Sequence, residues 1–241
     1  MPQPSLAEYY HERTKYTPEN VSRPGKRLNF DHQPVPFKDY ASADRIDLAA
    51  YLPDDDRLRS DTELASWRLT LHANERPLAE LSHLLYFTNG VTAMIPHGDD
   101  AFYMRAAPSA GGLYPTELYV AVRHNPVIPD GLYNYQVRDH SLVRFWARDP
   151  WAGLTEACFD HPALEQADLV VIATGVFFRS AWRYEDRAYR RVMLDTGHVL
   201  GNMAMMAPCV GRHAYPIGGF ADDALNELLF LERGEEEVIA V

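Results

Sequence analysis

RAAPSAGGLYPTE, residues 105–117, is a run of small side chains that leads into a run of strand formers. Pro108, Ser109, Ala110 and Gly111 carry little bulk, so backbone here can lie close to a flat ligand and offer N–H groups to its polar edge. The same composition also makes an ordinary glycine-rich turn, and the spacing is not the G-x-G-x-x-G of a dinucleotide fold. ELYVAVRH follows from Glu117 to His124, alternates, and is rich in β-formers, which predicts a strand.

Upstream of this stretch, Pro77 suits a first helical position. Leu78, Leu81, Leu84 and Leu85 then share one face before Gly90 closes the helix. Downstream, Leu132–Val137 and Leu142–Trp146 flank a polar turn and predict a hairpin. Asp149-Pro150 opens a short helix. Asp168–Phe178 is a buried-type strand. A long helix is predicted from Tyr184 to Ala207, with Gly197 and Gly201 leaving a smooth face. Tyr215–Phe220 is a loop or strand, Ala221–Leu231 an amphipathic helix, and Val238–Val241 a last strand. Helices and strands do not alternate strictly, so the pattern is α+β. Residues 1–60 differ in character. Ser5 can cap a helix carrying Leu6, Tyr9 and Tyr10, four prolines lie between positions 18 and 36, and Asp54–Asp56 reads as a solvated turn. This predicts an N-terminal extension over 1–60 wrapped on a domain over 61–241.

Composition narrows the function. The chain has 241 residues and net charge −11, from 23 basic and 34 acidic side chains. Lys15, Lys26 and Lys38 are its three lysines, so 20 of the 23 are arginine and none of the lysines lies beyond position 38. A Schiff-base lysine in the main body and a P-loop lysine are therefore excluded. The negative balance argues against nucleic acid as partner. Cys158 and Cys209 form no paired motif, and no Cys/His cluster has metal spacing. No apolar run reaches membrane-spanning length and the N-terminus has no signal-peptide core, so a cytoplasmic protein is expected.

Two further segments carry candidate chemistry. Ser180 to Asn202 sets arginines and tyrosines before a helix bearing Asp195, His198 and Asn202. Asp195 and His198 are i, i+3 neighbours within hydrogen-bond reach. Tyr215–Asp223, YPIGGFADD, places Gly218 and Gly219 before an acidic helix start. Each is equally consistent with a partly exposed helix start or a plain turn.

Taken with YHERTKY at 10–16, these segments resemble the SagB-type dehydrogenases of the FMN-dependent nitroreductase superfamily. The matching pieces are residues 10–16, 105–117, 184–202 and 217–229, in order. The resemblance implies a central mixed β-sheet flanked by helices, a homodimer, and FMN as cofactor. It assigns Arg105, Pro108, Ser109, Ala110, Gly111, Gly218 and Gly219 to cofactor binding. It also implies a two-electron reaction on a peptide-derived or small organic substrate, in some members within a peptide-modifying complex. Azoline oxidases of this type carry a Lys-Tyr pair where this chain has Arg183-Tyr184. Arginine stays protonated near neutrality. Tyr184 is then the expected proton carrier, with Arg183 and Arg187 stabilising its phenolate or Arg183 binding an anionic substrate. The Arg-rich phosphate segment of nitroreductases is also altered: SWRLTLHANERP, 66–77, offers Arg68 and Arg76, and basic residues of the extension (Arg23, Lys26, Arg27) could substitute. An NAD(P)H-dependent nitro or quinone reductase and a flavin-free binding subunit remain open on these residues.

Overall fold

A six-stranded antiparallel sheet organises the computed structural model, which describes residues 4–21, 27–52, 63, 66, 69–98 and 100–241. Its strands are β1 (Arg45–Asp47), β4 (Thr116–Val122), β5 (Gly131–Gln136), β6 (Ser141–Trp146), β7 (Leu169–Val176) and β8 (Glu236–Ala240), in the order β1-β6-β5-β4-β7-β8. The expected α+β fold is present. The expected mixed sheet is not: every pairing in it is antiparallel. Short turns join β4 to β5 and β5 to β6, and such turns can connect only antiparallel neighbours.

Side chains of β4 alternate between two cores. Leu118, Val120 and Val122 face Leu81, Leu85 and Val199, on helices α3 (Arg76–Asn89) and α7 (Ala188–Cys209). Tyr119 and Ala121 face Leu154, Leu164 and Leu225, on α4 (Trp151–Ala157), α5 (Ala163–Gln166) and α8 (Asp222–Leu228). All seven residues of β4 are buried. Helices cover both faces, so the central strand is apolar nearly throughout. Gly175 on β7 sets how closely α7 lies. A Cβ there would be 2.8 Å from Val192 Cγ1. This closeness lets Thr196 Oγ1 on α7 and Thr116 Oγ1 on β4 hydrogen-bond at 2.8 Å.

Helix α3 begins with Pro77 in its first turn and is capped by Gly90, as its sequence predicts. The hairpin of β5 and β6 is also as read. A second hairpin, β2 (Val91–His97) with β3 (Asp100–Arg105), has no counterpart in the sequence reading. Two other expectations are corrected. The strand from Asp168 ends at Val176, because Phe177 begins α6 (Phe177–Tyr184). The helix expected to start at Tyr184 starts at Ala188 instead. Tyr184 is the last residue of α6, and a 3₁₀ turn over Glu185–Arg187 joins the two helices. Glu185 has φ 49°, a left-handed conformation that no α-helix accommodates.

The N-terminal segments lie on this body. Ser5 and Glu8 form a reciprocal capping box at the start of α1 (Leu6–Thr14). Lys38 pairs with the buried Glu236 of β8 and donates to Tyr119 Oη at 2.7 Å. Burial pulls the Lys38 ammonium down, but Glu236 more than offsets it and leaves it raised. The Asp54–Asp56 turn lies outside the described residues.

Candidate functional site

Residues 108–112 form a shelf held from below by one carboxylate. The Ser109 hydroxyl donates to Asp195 Oδ2 at 2.7 Å, and the Ala110 amide to the same oxygen at 3.1 Å. Ser109 Oγ also accepts the Tyr114 amide at 2.8 Å, so one serine joins both ends of the turn. Gly111 and Gly112 adopt φ 68° and 66°, a region glycine enters without strain. Pro108, Gly111 and Gly112 are exposed, whereas Asp195 is buried on α7. Burial raises the Asp195 carboxyl, opposed by the hydrogen bonds from Ser109 and Ala110. The expected Asp195–His198 bond does not form. Asp195 turns to the shelf, and His198 is exposed with Nδ1 against Leu194 O of its own helix at 2.8 Å.

The end of α6 closes on this shelf. A Cβ placed on Gly111 would lie 2.9 Å from Tyr184 Oη, 3.4 Å from Arg183 Cδ and 3.6 Å from Arg183 Nε. Arg183, Tyr184 and Gly111, separated by more than 70 residues of sequence, thus meet at one point. The guanidiniums of Arg183 and Arg191 stand 5.8 and 5.3 Å from the Tyr184 ring centroid, in cation–π range. Arg191 Nε is buried and has no hydrogen-bond partner.

The turn that aims Tyr184 is braced by YHERTKY. Tyr10 Oη donates to Asp186 O at 2.8 Å, and Arg13 Nε reaches the Asp186 carboxylate at 2.7 Å. Arg187 donates to Thr14 O, and Arg190 to Thr14 Oγ1 at 2.9 Å and His11 O at 3.0 Å. Arg187, expected beside Tyr184, lies 3.8 Å over the Tyr16 ring instead, and Arg191 takes the place beside Tyr184. Further along, Trp182 Nε1 donates to Asn29 O at 3.0 Å.

Other candidates sit elsewhere. Arg105 is buried: it binds Pro36 O and lies 5.2 and 4.8 Å from the rings of Phe37 and Tyr114. Burial pulls its guanidinium down to about 10. It therefore ties the N-terminal segment to the turn and presents no exposed charge. Gly218 and Gly219 are exposed, and a Cβ on either meets nothing within 4 Å, the shelf included. Arg76 is exposed, and Arg68, Arg23 and Lys26 lie outside the described residues. Arg179, unremarked in the sequence, makes a buried ion pair with Glu117 and donates to Tyr114 O at 2.9 Å, fixing the far end of the shelf. Arg191 and the Asp195–Ser109 bond were equally hidden, since nothing local to residues 191 or 195 points to residues 109–111.

A groove of about 700 Å³ runs between the second half of α7 and residues 211–217. Leu200, Gly201, Met203, Ala207, Tyr215 and Val241 line it. A Cβ on Gly197 or Gly201 meets nothing within 4 Å, so the smooth face of α7 is uncovered in this chain. Among the described residues, no helix is long and apolar enough to cross a membrane.

Known proteins resemble this chain in sequence and fold. Over 180 residues the chain is 32% identical to a Methanocaldococcus jannaschii protein that carries the name of a nitroreductase, covering 74% of this chain and 87% of that one. A structure titled as a nitroreductase from Anabaena variabilis superposes with TM-score 0.88 at 48% identity. It covers 99% of this chain but 45% of that chain, so this chain spans about half its length. The trifolitoxin-processing protein TfxB of Rhizobium leguminosarum is 35% identical over 112 residues, which is 44% of this chain and 30% of that protein. The Nitroreductase family model matches residues 65–241, which include the sheet from β4 onward, the 108–112 shelf and the Arg183-Tyr184 turn, and the chain belongs to that family of oxidoreductases.

Proposed function

We propose that this nitroreductase-family chain is an FMN-dependent oxidoreductase of the SagB-like kind. The observation that carries the reading is the meeting of the exposed Gly111 backbone with Tyr184 Oη and Arg183. The residues present fit a flavin. The shelf is open and free of bulky side chains, its conformation is locked by Asp195, and an arginine with an unpartnered buried N–H stands beside it. Pro108, Ser109, Ala110 and Gly111 would hold the ring system. Gly218 and Gly219 would approach it from a second copy of the chain, since their surroundings in this copy are open. FMN, when bound, supplies two-electron redox chemistry that no side chain can provide.

The chain's own work is to orient substrate, exclude water and move a proton. Tyr184 holds that proton at Oη. Arg183 and Arg191 stand beside its ring with their guanidiniums in cation–π range. The substrate is a small organic or peptide-derived molecule. The likeness to a trifolitoxin-processing protein supports the peptide-derived class and a place in a modifying complex. Uncovered glycines on α7, the adjoining groove, and exposed Leu194 and Met205 support a homodimer. Residues 1–60 act as an extension that braces the Tyr184 turn of a domain over 61–241.

The purified protein's visible spectrum tests the reading. Flavin bands are expected, either as isolated or after adding FMN, and a colourless protein that takes up no FMN overturns it. Arginine in place of the lysine of azoline oxidases favours a second reading on the same site, an NAD(P)H-dependent reductase. Bleaching of the bands by NAD(P)H without other substrate selects that one.

A further inference from the structure

The start of α7 is rich in positive charge. Arg183, Arg187, Arg190 and Arg191 gather there in a chain whose net charge is −11. A helix N-terminus already carries positive partial charge, so cations in its first turn are disfavoured unless an anion sits among them. The N-terminal segment does not supply one. Arg187 and Arg190 bind neutral oxygens of Thr14 and His11. On the turn, Asp186 is taken by Arg13 at 2.5 Å and Glu185 has an interaction of its own. Asp195 feels the charge of Arg191 but gives its oxygens to Ser109 and Ala110. Among the described residues, no carboxylate forms an ion pair with Arg183 or Arg191.

Arg183 and Arg191 both stand within cation–π range of the half-buried Tyr184 ring, and Arg183 also touches the Gly111 shelf. Arg191 Nε is shut away from solvent without an acceptor. A buried guanidinium N–H left unsatisfied is costly and is ordinarily matched by a partner. Two guanidiniums flanking one ring offer the forked donors that carboxylate and phosphate oxygens accept.

We propose that Arg183 and Arg191 form an oxyanion-binding jaw over the Gly111 shelf, taking a carboxylate or phosphate group of the molecule bound there. This deepens the proposed function by naming the anionic class of ligand, and its position relative to the redox centre rests on that reading.

Titration calorimetry on the full chain tests it, with inorganic phosphate and benzoate as probes. Saturable binding is expected, weakened about tenfold or more in Arg183→Gln and in Arg191→Gln. Arg233→Gln, a change at an exposed position between α8 and β8, serves as the comparison and leaves binding as it was. Flavin titrations identify the source of the anion. A fall in affinity for FMN but not for riboflavin in the two variants assigns the jaw to the cofactor phosphate. Unchanged flavin affinity with lost benzoate binding to the flavin-loaded protein assigns it to a substrate carboxylate. If no flavin binds but phosphate binding still depends on both arginines, the jaw stands and the flavin reading fails. If phosphate and benzoate bind equally to wild type and to both variants, or bind to none, the jaw is wrong. Should Arg191→Gln not fold, Arg183→Gln alone carries the test, because the Arg183 side chain is exposed.

Discussion

Gly111 sits where added bulk would enter the candidate site. Its φ of 68° costs a non-glycine residue about 1 kcal/mol, and an added methyl would press on Tyr184 Oη at 2.9 Å. Gly111→Ala should therefore lower stability by about 1–2 kcal/mol while displacing Tyr184. Flavin affinity should fall by a larger factor than global unfolding suggests. An unchanged FMN titration in a folded Gly111→Ala protein would contradict the proposed shelf. Asp195 gives the complementary test. It is a positioning residue that acts through Ser109 and Ala110. Asp195→Ala leaves the half-buried Ser109 hydroxyl and Ala110 amide without their acceptor, at a cost of about 1–3 kcal/mol. Asp195→Asn keeps an acceptor oxygen and should recover most flavin affinity. Equal losses in both variants would mean that the negative charge, and not the hydrogen bonds, holds the shelf.

At the scale of elements, the approach of α7 to the sheet decides whether the site assembles. Asp195 and Thr196 reach Ser109 and Thr116 because Gly175 lets the helix lie against β7. Gly175→Val would drive a side chain into Val192 Cγ1 and Ile239, and overpacking of this kind costs about 1–3 kcal/mol. Thermal denaturation should report that loss, with flavin affinity falling as the helix lifts. A variant as stable as wild type would show that the contact relaxes freely. Sequence patterns revealed α3, the β5–β6 hairpin and β7 because caps and apolar periods act over a few residues. They joined Tyr184 to the long helix because the pattern runs on without a breaker. The break comes from Glu185 in a left-handed conformation, and Tyr10 and Arg13, some 170 residues earlier, hold its neighbour Asp186.

At the scale of the molecule, the extension and the body are joined through buried polar groups, and one of them titrates. His140, in the β5–β6 turn, is buried with Nε2 2.8 Å from Ser82 Oγ and Nδ1 2.7 Å from Tyr135 Oη. Ser82 in turn donates to Leu48 O of the N-terminal segment at 2.9 Å. Burial pulls the imidazole down to about 4. Its folded pKa is thus below the unfolded value of about 6.5, and the unfolded chain binds the extra proton between the two. Stability from this group is complete above pH 6.5 and is lost as pH falls toward 4, by at most about 3 kcal/mol. Urea unfolding from pH 7.5 to 4.5 should show the decline, and His140→Gln should flatten it. The same slope in both proteins would acquit His140.

From the sequence alone came the α+β class, most helices and strands, the absence of a working lysine beyond position 38, and the short motifs that resemble the SagB-type dehydrogenases. Each depends on residue chemistry or on periods of two and 3.6 residues, which act locally. The tertiary structure decided the antiparallel sheet, the inward turn of Arg105, the parting of Asp195 from His198, and the meeting of Gly111 with Arg183 and Tyr184. These depend on strand pairing and helix packing between residues tens to hundreds of positions apart. No local pattern encodes which distant oxygen a buried donor will find. The packing that excludes water from that donor makes the choice.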